Sequence, residues 1–350
     1  MADVVRSYEG MLGRAPESRR IIEHQIKTSE TVTHLIRNLA HSQEFARILG
    51  RDMGQQDSPF NHYHASVDVR GIIESHINDD RKPKAEHHVN FLGVAVPVKV
   101  MDILKDVGGQ MDVVPIPANY HADMAEWAAA LRSVDLASET YTMIELGCGW
   151  GCWMNNMGTA AKARGLSIHV IGIEGDERHI EFAQETLQTN HISTQEYTLI
   201  RGIAASRSGY ALFPRSKGDE WGSEPIFDVS ETESAKAVAG GKYDRLRMVP
   251  LEEAIGDRAK IDLLHIDIQG GEAALIEEAI QLITEKIGYL TIGTHSRAIE
   301  GRLFDALLTA GWILEIERPA VLRIIDGKPV TLVDGVQGWR NPQIHGYYTA

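Results

Sequence analysis

The chain has 350 residues, of which 43% are hydrophobic, and this is enough for one sizeable α/β domain with a smaller appendage. Asp and Glu together number 49 against 35 Lys and Arg, so the formal net charge is −14 at pH 7. This acidic balance argues against nucleic acid as a partner and against an anionic membrane surface, because both require a basic face.

The N-terminal sequence, Met1 to Arg6, has no apolar signal core, and no apolar run in the chain approaches about 18 residues. Two cysteines, Cys148 and Cys152, are too few for a disulfide framework. We therefore expect a soluble, cytoplasmic protein that does not insert into a membrane.

The first 50 residues have the apolar spacing of several short helices. The pattern Tyr8-x-x-Met-Leu-Gly-Arg14, followed by Ser42-Gln-Glu-Phe45, resembles a small helical domain that is often fused to bacterial glycan-processing enzymes. We predict a helical N-terminal domain over residues 1–50, which serves either glycan binding or packing and oligomerisation. A linker with extended or β structure is predicted over residues 51–118.

From residue 119 the chain alternates between helix-like and strand-like segments, which predicts an α/β fold. The predicted strands are 142–146, 168–174, 197–203, 210–213, 261–267 and 287–293, with 312–317 and 321–325 as a late pair. The predicted helices are 119–133, 152–164, 177–189, 251–256, 271–284 and 300–310. Such an order indicates a Rossmann-like parallel sheet with helices on both faces, whose ligands bind beyond the carboxyl ends of the strands.

A glycine-rich turn follows the first strand of this region. Glu145 precedes Gly147, Gly149 and Gly151, and such glycines allow a sharp turn with no Cβ in the way of a ligand. A dinucleotide fingerprint is Gly-x-Gly-x-x-Gly, and in this chain the third glycine comes one residue too early. An acid in the turn would repel a pyrophosphate, whereas Glu145 could support the ammonium of a methionine moiety. The turn therefore favours S-adenosylmethionine over NAD.

A second acidic residue, Glu174, stands at the end of the next apolar strand, Val170-Ile-Gly-Ile-Glu174. This is the place of the ribose-binding carboxylate in a nucleotide-binding βαβ unit. Together with the glycine turn, Glu174 predicts a cofactor that contains a nucleoside.

Two polar side chains interrupt the apolar strand Ile261–Ile268 where it reaches the ligand edge. His265 and Asp267 lie two residues apart, so they share one face of the strand. Burying them requires partners, and acid/base chemistry on a substrate hydroxyl is one reason to do so. The alternative is that one of them only orients the loop after the strand. Glu272 opens the following helix, where a carboxylate meets the helix dipole favourably, and is predicted to be structural.

The next strand ends at Leu290-Thr-Ile-Gly-Thr-His295. A neutral imidazole at this position would be a general base, or a ligand of a divalent metal such as Mg²⁺ that it shares with Asp267. Trp150 lies in the glycine turn, Trp153 begins the following helix, and Trp221 lies in the polar insertion 214–241. These three residues either shape the cavity or fill the core and the insertion. The polar, turn-rich tail 334–342 is predicted to close over the pocket or over a neighbouring subunit.

Residues 140 to 317 resemble the FkbM-type family of S-adenosylmethionine-dependent methyltransferases. The resemblance rests on the glycine turn, Gly172-Ile-Glu174, Ala204-Ala205 and above all Ile261–Glu272, where His265 and Gln269 replace the family's usual Lys and Glu. It implies a class I methyltransferase domain over residues 119–350. It also assigns the cofactor-binding residues, which are Glu145, Gly147, Gly149, Trp150 and Gly151 at the methionine end, Glu174 at the ribose, and Gly202 and Ile203 near the adenine. Asp267 and His295 would flank the transferred methyl group.

These residues together predict methyl transfer from S-adenosylmethionine to a hydroxyl of a small molecule, a sugar or a glycan. His295 or His265 would remove the hydroxyl proton, and Asp267 would orient that base or hold a metal ion. Two alternatives stay open. One is an NAD-dependent oxidoreductase on a Rossmann sheet, and the other is a non-catalytic protein that binds a nucleoside or a partner. A homo-oligomer is compatible with each of them.

Overall fold

The structure is a computed structural model of the whole chain. It describes residues 4, 5, 8, 16, 19–29, 35, 58–216 and 221–347. The chain forms two compact units, Met1–His62 and Tyr63–Ala350. In the first unit Val4, Tyr8 and Leu35 are buried together. Most of the predicted N-terminal domain lies outside the described residues, so its function and its boundary at residue 50 stay predictions.

Helices and strands alternate along most of the described residues. The α-helices are α1 (Arg19–Thr28), α2 (Val69–Ser75), α3 (Met124–Asp135), α4 (Cys152–Ala163), α5 (Glu177–Thr189), α6 (Glu231–Ala239), α7 (Leu251–Ile255), α8 (Glu272–Lys286), α9 (Arg297–Thr309) and α10 (Pro342–His345). Short 3₁₀-helices span Pro59–Asn61, Val98–Val100 and Asp102–Leu104. The strands are β1 (His64–Ala65), β2 (His87–Val89), β3 (Ala95–Pro97), β4 (Gln110–Met111), β5 (Thr140–Leu146), β6 (Ser167–Glu174), β7 (Tyr197–Arg201), β8 (Ile203–Ala205), β9 (Gly209–Pro214), β10 (Tyr243–Pro250), β11 (Ile261–Ile266), β12 (Ile287–Thr294), β13 (Ile313–Arg318), β14 (Val321–Ile325), β15 (Lys328–Val333) and β16 (Gly335–Arg340).

The second unit is built on an eight-stranded sheet in the order β1-β13-β16-β12-β11-β5-β6-β7. Strands β12, β11, β5, β6 and β7 are mutually parallel. Strand β16 is antiparallel to both of its neighbours. From β5 the chain continues outward in one direction through β6 and β7, and it later returns to β11 on the other side of β5. The space between β5 and β11 is therefore the topological switch point, where ligands bind in such sheets. The predicted α/β class with a Rossmann-like sheet is confirmed.

Helices cover both faces of this sheet because its parallel strands are apolar on both sides. On one face α3, α4 and α5 enclose a core that includes Trp127, Met154 and Phe182. On the other face α7, α8 and α9 enclose a second core that includes Ile276 and Leu303. Among the described residues, no helix is both long enough and apolar enough to cross a membrane.

The prediction for the C-terminal tail is wrong. Gly335–Arg340 is a fully buried strand between β12 and β13 and does not close over a pocket. Several of its polar groups have partners inside the protein: Arg340 Nε donates to Glu315 Oε1 at 2.5 Å, and Trp339 Nε1 donates to Gln337 Oε1 at 3.0 Å. The two late strands predicted at 312–317 and 321–325 are present as β13 and β14; β13 pairs with β16, and β14 forms a hairpin with β15.

Candidate functional site

A cavity of about 700 Å³ opens at the carboxyl edge of the sheet, at the switch point between β5 and β11. That volume is in the range of small-molecule and cofactor sites. Its lining comes from the loops after β5, β6, β7 and β11 and from the insertion that follows β9. The lining residues are Gly147, Gly149, Ile173, Glu174, Gly175, Asp176, His179, Gly202, Ile203, Ala204, Phe213, Trp221, Gly222, Ser223, Glu224, Pro225, Phe227, Asp267, Ile268, Gln269, Gly270, Gly271 and Ala274.

The glycine turn after β5 forms one wall of the cavity. Gly147 has a φ of +75°, and a Cβ there would collide with the backbone carbonyl oxygen of Asp267. Gly149 has a φ of +50°, and a Cβ there would lie 3.0 Å from the ring of Trp221. Only glycine fits both demands, a left-handed backbone and a close neighbour. Gly151, whose φ is +74°, is the N-cap of α4 and lies outside the cavity lining.

Glu145 does not face the cavity, and its predicted role at a methionine ammonium needs correction. Its side chain is buried, and its two carboxylate oxygens accept the backbone N–H groups of Trp153 at 3.2 Å and Met154 at 2.9 Å. It thereby satisfies two of the amides that the start of α4 leaves without partners. Burial raises the pKa of Glu145 to about 8 against the opposing effect of these two amides. Its role in the structure is to fix the glycine turn to the helix.

Glu174, at the end of β6, does line the cavity. One carboxylate oxygen accepts the N–H of Gly149 at 2.8 Å, and the other accepts the N–H of Asp176 at 2.7 Å. Burial raises the pKa of Glu174 above its ordinary value, although the two amides and nearby His179 act in the opposite direction. The predicted ribose-binding carboxylate is thus beside the glycine turn. Gly202 and Ile203, predicted near the adenine, also line the cavity.

Asp267 follows β11 and faces the cavity with a half-exposed side chain. Its Oδ1 accepts the side-chain N–H of Gln269 at 3.0 Å and lies 3.2 Å from Nε2 of His295. Partial burial would raise the pKa of Asp267, but the contact with His295 and the charges of nearby histidines outweigh it and lower the pKa. The structure therefore presents an ionised carboxylate to whatever occupies this part of the cavity.

His295 is held between two carboxylates and does not have the properties of the predicted neutral base. Its Nδ1 lies 2.9 Å from Oε1 of Glu272, on the ring edge opposite the contact with Asp267. Burial alone would lower its pKa, but the two carboxylates raise the pKa of His295 to about 10. The imidazole thus carries a proton at neutral pH. Glu272 is fully buried and also accepts the N–H groups of Ile268 and Gly270, in agreement with its predicted structural role.

His265 is buried in β11 and lies outside the cavity lining. Its Nε2 lies 3.3 Å from Oε1 of Glu126 on α3, and its ring stacks on Trp153 with a centroid distance of 5.0 Å. His265 is close enough to Asp267 for its charge to be among the causes that lower the pKa of Asp267, but no hydrogen bond joins the two side chains among the described residues.

Two ionisable residues near this edge were not predicted as functional from the sequence. His121, just before α3, contacts the thiol of Cys152, and burial together with the charge of His265 lowers the pKa of His121 to about 4. Burial raises the pKa of Glu126. Both residues precede the glycine turn in the sequence, where no strand end indicated a site. The available signal was the acidic residue Glu126 in the first turn of a predicted helix, with His121 five residues before it.

Trp150 and Trp153 are buried in the core and outside the cavity lining, whereas Trp221 lines the cavity. The predicted cofactor role of Trp150 is therefore corrected to a core position, where its ring lies 5.8 Å from that of His121.

Among the described residues, Asp267, Glu272 and His295 bring one possible ligand atom each to within 4.8 Å of one another, which is compatible with a metal ion. Each ring nitrogen of His295 faces a different carboxylate, however. A metal bound to one nitrogen would have to displace the carboxylate on that side or be shared with it, so the arrangement fits a protonated bridge better than a chelate.

No protein-family profile matches the chain. The solved structures to which the chain is similar include methyltransferases, among them the following two. One is the methyltransferase FkbM from Methylobacillus flagellatus KT, with 15% identity, 62% of this chain and 55% of that chain covered, and a TM-score of 0.38. The other is precorrin-6y C5,15-methyltransferase from Geobacter metallireducens GS-15, with 10% identity, 60% and 86% covered, and a TM-score of 0.34. Likenesses this distant say nothing about activity.

A protein of Jannaschia sp. (strain CCS1), described as "Putative methyltransferase", is 48% identical to the chain over 256 residues. The match covers 72% of this chain and 91% of the relative. Identity of this extent shows that the chain belongs to the methyltransferase family of this relative.

Proposed function

We propose that this protein is an FkbM-type O-methyltransferase that transfers a methyl group from S-adenosylmethionine to a hydroxyl of a sugar or glycan. The observation that carries the proposal is the position of a half-exposed, ionised Asp267 in the same cavity as the glycine turn and Glu174. The glycine turn and Glu174 thus suit the cofactor, and Asp267 offers an acceptor for a hydroxyl proton.

The charges of the cavity suit S-adenosylmethionine better than a dinucleotide. Four acids line it, Glu174, Asp176, Glu224 and Asp267, and no Lys or Arg is among its described lining residues. S-adenosylmethionine brings a sulfonium and an ammonium, which acidic walls stabilise, whereas the pyrophosphate of NAD would be repelled. The oxidoreductase alternative is therefore not favoured.

Asp267 is the residue that would accept the proton of the acceptor hydroxyl. When bound, S-adenosylmethionine supplies an electrophilic methyl group. Asp267 orients the hydroxyl through a hydrogen bond and takes up its proton as the oxygen attacks. His295 and Gln269 hold Oδ1 of Asp267, and the buried Glu272 holds His295 from behind. Much of the rate would come from this positioning.

His265 and Glu126 support the acceptor side from within the protein. The pair lies under the edge that carries Asp267, and the ring of His265 is fixed by Trp153. We assign them a positioning role because His265 is only 1% exposed.

The choice of a sugar or glycan rests on the resemblance of the N-terminal sequence to domains of glycan-processing enzymes. A divalent metal is not needed for this chemistry. If one binds, Asp267 and His295 are its predicted ligands, and activity in EDTA compared with activity in Mg²⁺ decides the question.

The proposal is tested by incubating the full-length protein with S-adenosylmethionine labelled with ¹³C in the methyl group and a panel of bacterial glycans and monosaccharides. We expect a ¹³C-methoxy resonance on one acceptor class and stoichiometric S-adenosylhomocysteine. Label found on nitrogen or carbon would contradict O-methylation and leave methyl transfer standing.

A further inference from the structure

We propose that Trp221 and His179 form the wall on which the nucleobase of the cofactor stacks, with Trp221 supplied by the insertion after β9. This inference rests on the proposed function, because it assigns a position to the adenine of S-adenosylmethionine. It adds a specificity-determining aromatic residue that lies outside the glycine turn and outside the strand-end acids.

The two rings already form a stacked pair in the cavity. Their centroids are 4.1 Å apart and their planes are inclined by 11°. His179 is on α5 and is 5% exposed, whereas Trp221 is 41% exposed and lines the cavity. An indole that is packed on a buried ring and keeps part of its own surface exposed offers a flat surface for another aromatic ring.

The location of the pair suits a base whose ribose is held by Glu174. Nδ1 of His179 lies 4.0 Å from Oε1 of Glu174. Trp221 lies over Gly149, whose N–H donates to the same carboxylate. A nucleoside with its ribose at Glu174 therefore has the Trp221–His179 pair within the reach of its base.

The cavity also offers apolar surface, which a purine requires. Ile203, Ala204, Phe213 and Phe227 are among its aromatic and aliphatic lining residues. Phe213 is buried and packs against Gly175, where no side chain would fit.

The insertion holds Trp221 in place through its own contacts. Ile226 pairs with Leu212 of β9 in an isolated bridge, and the neighbouring Gly222 approaches the side chain of Gln269. Residues 221–227 thus connect the nucleoside end of the cavity to the loop that carries Asp267. Trp221 is also convenient to observe, because the other five tryptophans of the chain are at most 3% exposed.

The test is a calorimetric titration of wild type, Trp221→Ala and Trp221→Phe with S-adenosylhomocysteine and with adenosine. We expect Trp221→Ala to raise both Kd values about 10-fold or more, the size of a lost base–aromatic stack, and Trp221→Phe to restore most of the affinity. Tyr210→Ala is the matched control, because Tyr210 is an exposed aromatic residue that stacks with Arg245 outside the cavity lining.

A second readout uses quenching of tryptophan fluorescence by acrylamide. S-adenosylhomocysteine should protect the wild type from quenching, and this protection should vanish in Trp221→Phe. If the wild type binds both ligands and Trp221→Ala binds them with the same affinity, the proposed stacking on Trp221 is refuted and the proposed function is not. Tighter binding by Trp221→Ala would also overturn it, and would show that the indole competes with the base. A wild type that binds neither ligand would refute the proposed function together with this inference.

Discussion

The carboxylates around the glycine turn and the one after β11 are held in different ways. On the glycine-turn side, Glu174 in the cavity and Glu145 behind it are bound by backbone N–H groups, two each. On the other side, Asp267 is bound by the side chains of Gln269 and His295. Backbone amides are fixed by the fold, whereas side chains can be exchanged, titrated or moved.

From this difference we infer that the glycine-turn side recognises the cofactor and that Asp267 carries the chemistry. Backbone amides hold a carboxylate in a position that the fold determines, and a fixed position suits the recognition of a ligand of constant shape. A carboxylate beside a protonated imidazole has a partner that responds to charge in the cavity, which suits proton transfer. Glu145 and Glu174 should therefore affect stability and binding, and Asp267 should affect turnover.

The largest expected effect comes from Asp267→Asn, which keeps the shape and removes the charge. We expect kcat to fall by about 100-fold or more, as is typical for the loss of an acid/base group. The Kd for S-adenosylhomocysteine should change little, because the glycine-turn side is intact. Steady-state kinetics with calorimetry measures both, and full activity of this variant would refute the division between the two sides.

Glu174→Gln should have the next largest effect, and on the opposite quantity. Replacing one of the carboxylate oxygens by an amide group loses a charge-assisted hydrogen bond, so we expect the Kd for S-adenosylhomocysteine to rise about 10-fold to 100-fold. At saturating cofactor kcat should stay near the wild-type value. A fall in kcat with unchanged Kd would place Glu174 on the chemical side.

Glu145→Gln should act on stability alone. One of the two amides at the start of α4 loses its acceptor, which costs about 1–3 kcal/mol for a buried group. Urea unfolding measures this loss, with Glu181→Gln on the exposed face of α5 as the control. If Glu145→Gln unfolded like the wild type but bound the cofactor poorly, a role of Glu145 at the methionine ammonium would be restored.

The smallest expected effect is the contribution of His295 to the way in which the free energy of unfolding changes with pH. Its pKa is raised from 6.5 to about 10 in the folded protein, so its contribution is fully present below about pH 6.5 and is lost as the pH rises through about 10. His295→Gln should therefore be less stable than the wild type at pH 6, and the difference should shrink towards pH 10. Urea midpoints across this range test it, and a constant difference would contradict the protonated bridge.

Much of the fold could be predicted because the relevant patterns are local. The helix Glu177–Thr189 and the strand Val321–Ile325 have the predicted bounds, and most other predicted elements differ by a few residues. The predicted strand 197–203 is divided between β7 and β8, and α6 and β10 were not predicted. Strand β16 could not be predicted in this way, since Gly-Val-Gln-Gly-Trp-Arg has the composition of a turn. Its burial depends on neighbouring strands and on Glu315, which accepts a hydrogen bond from Arg340.

Site residues at the ends of predicted strands could be predicted from the sequence. The orientation and protonation of side chains could not, because tertiary contacts determine them. Glu174, Asp267 and the glycines follow apolar strands, so their common edge follows from the parallel order. Whether Glu145 points to a ligand or to helix amides depends on the packing of α4, and the protonation of His295 depends on two carboxylates distant in sequence. Neither can be read from spacing.

The acid-lined cavity is central to the proposed function because it must bind S-adenosylmethionine. We would titrate the purified full-length protein with S-adenosylmethionine, S-adenosylhomocysteine and NAD in one calorimetric series. We predict micromolar binding of the first two and none of NAD. Binding of NAD alone would contradict this prediction and would require a different role for the four acids in the cavity.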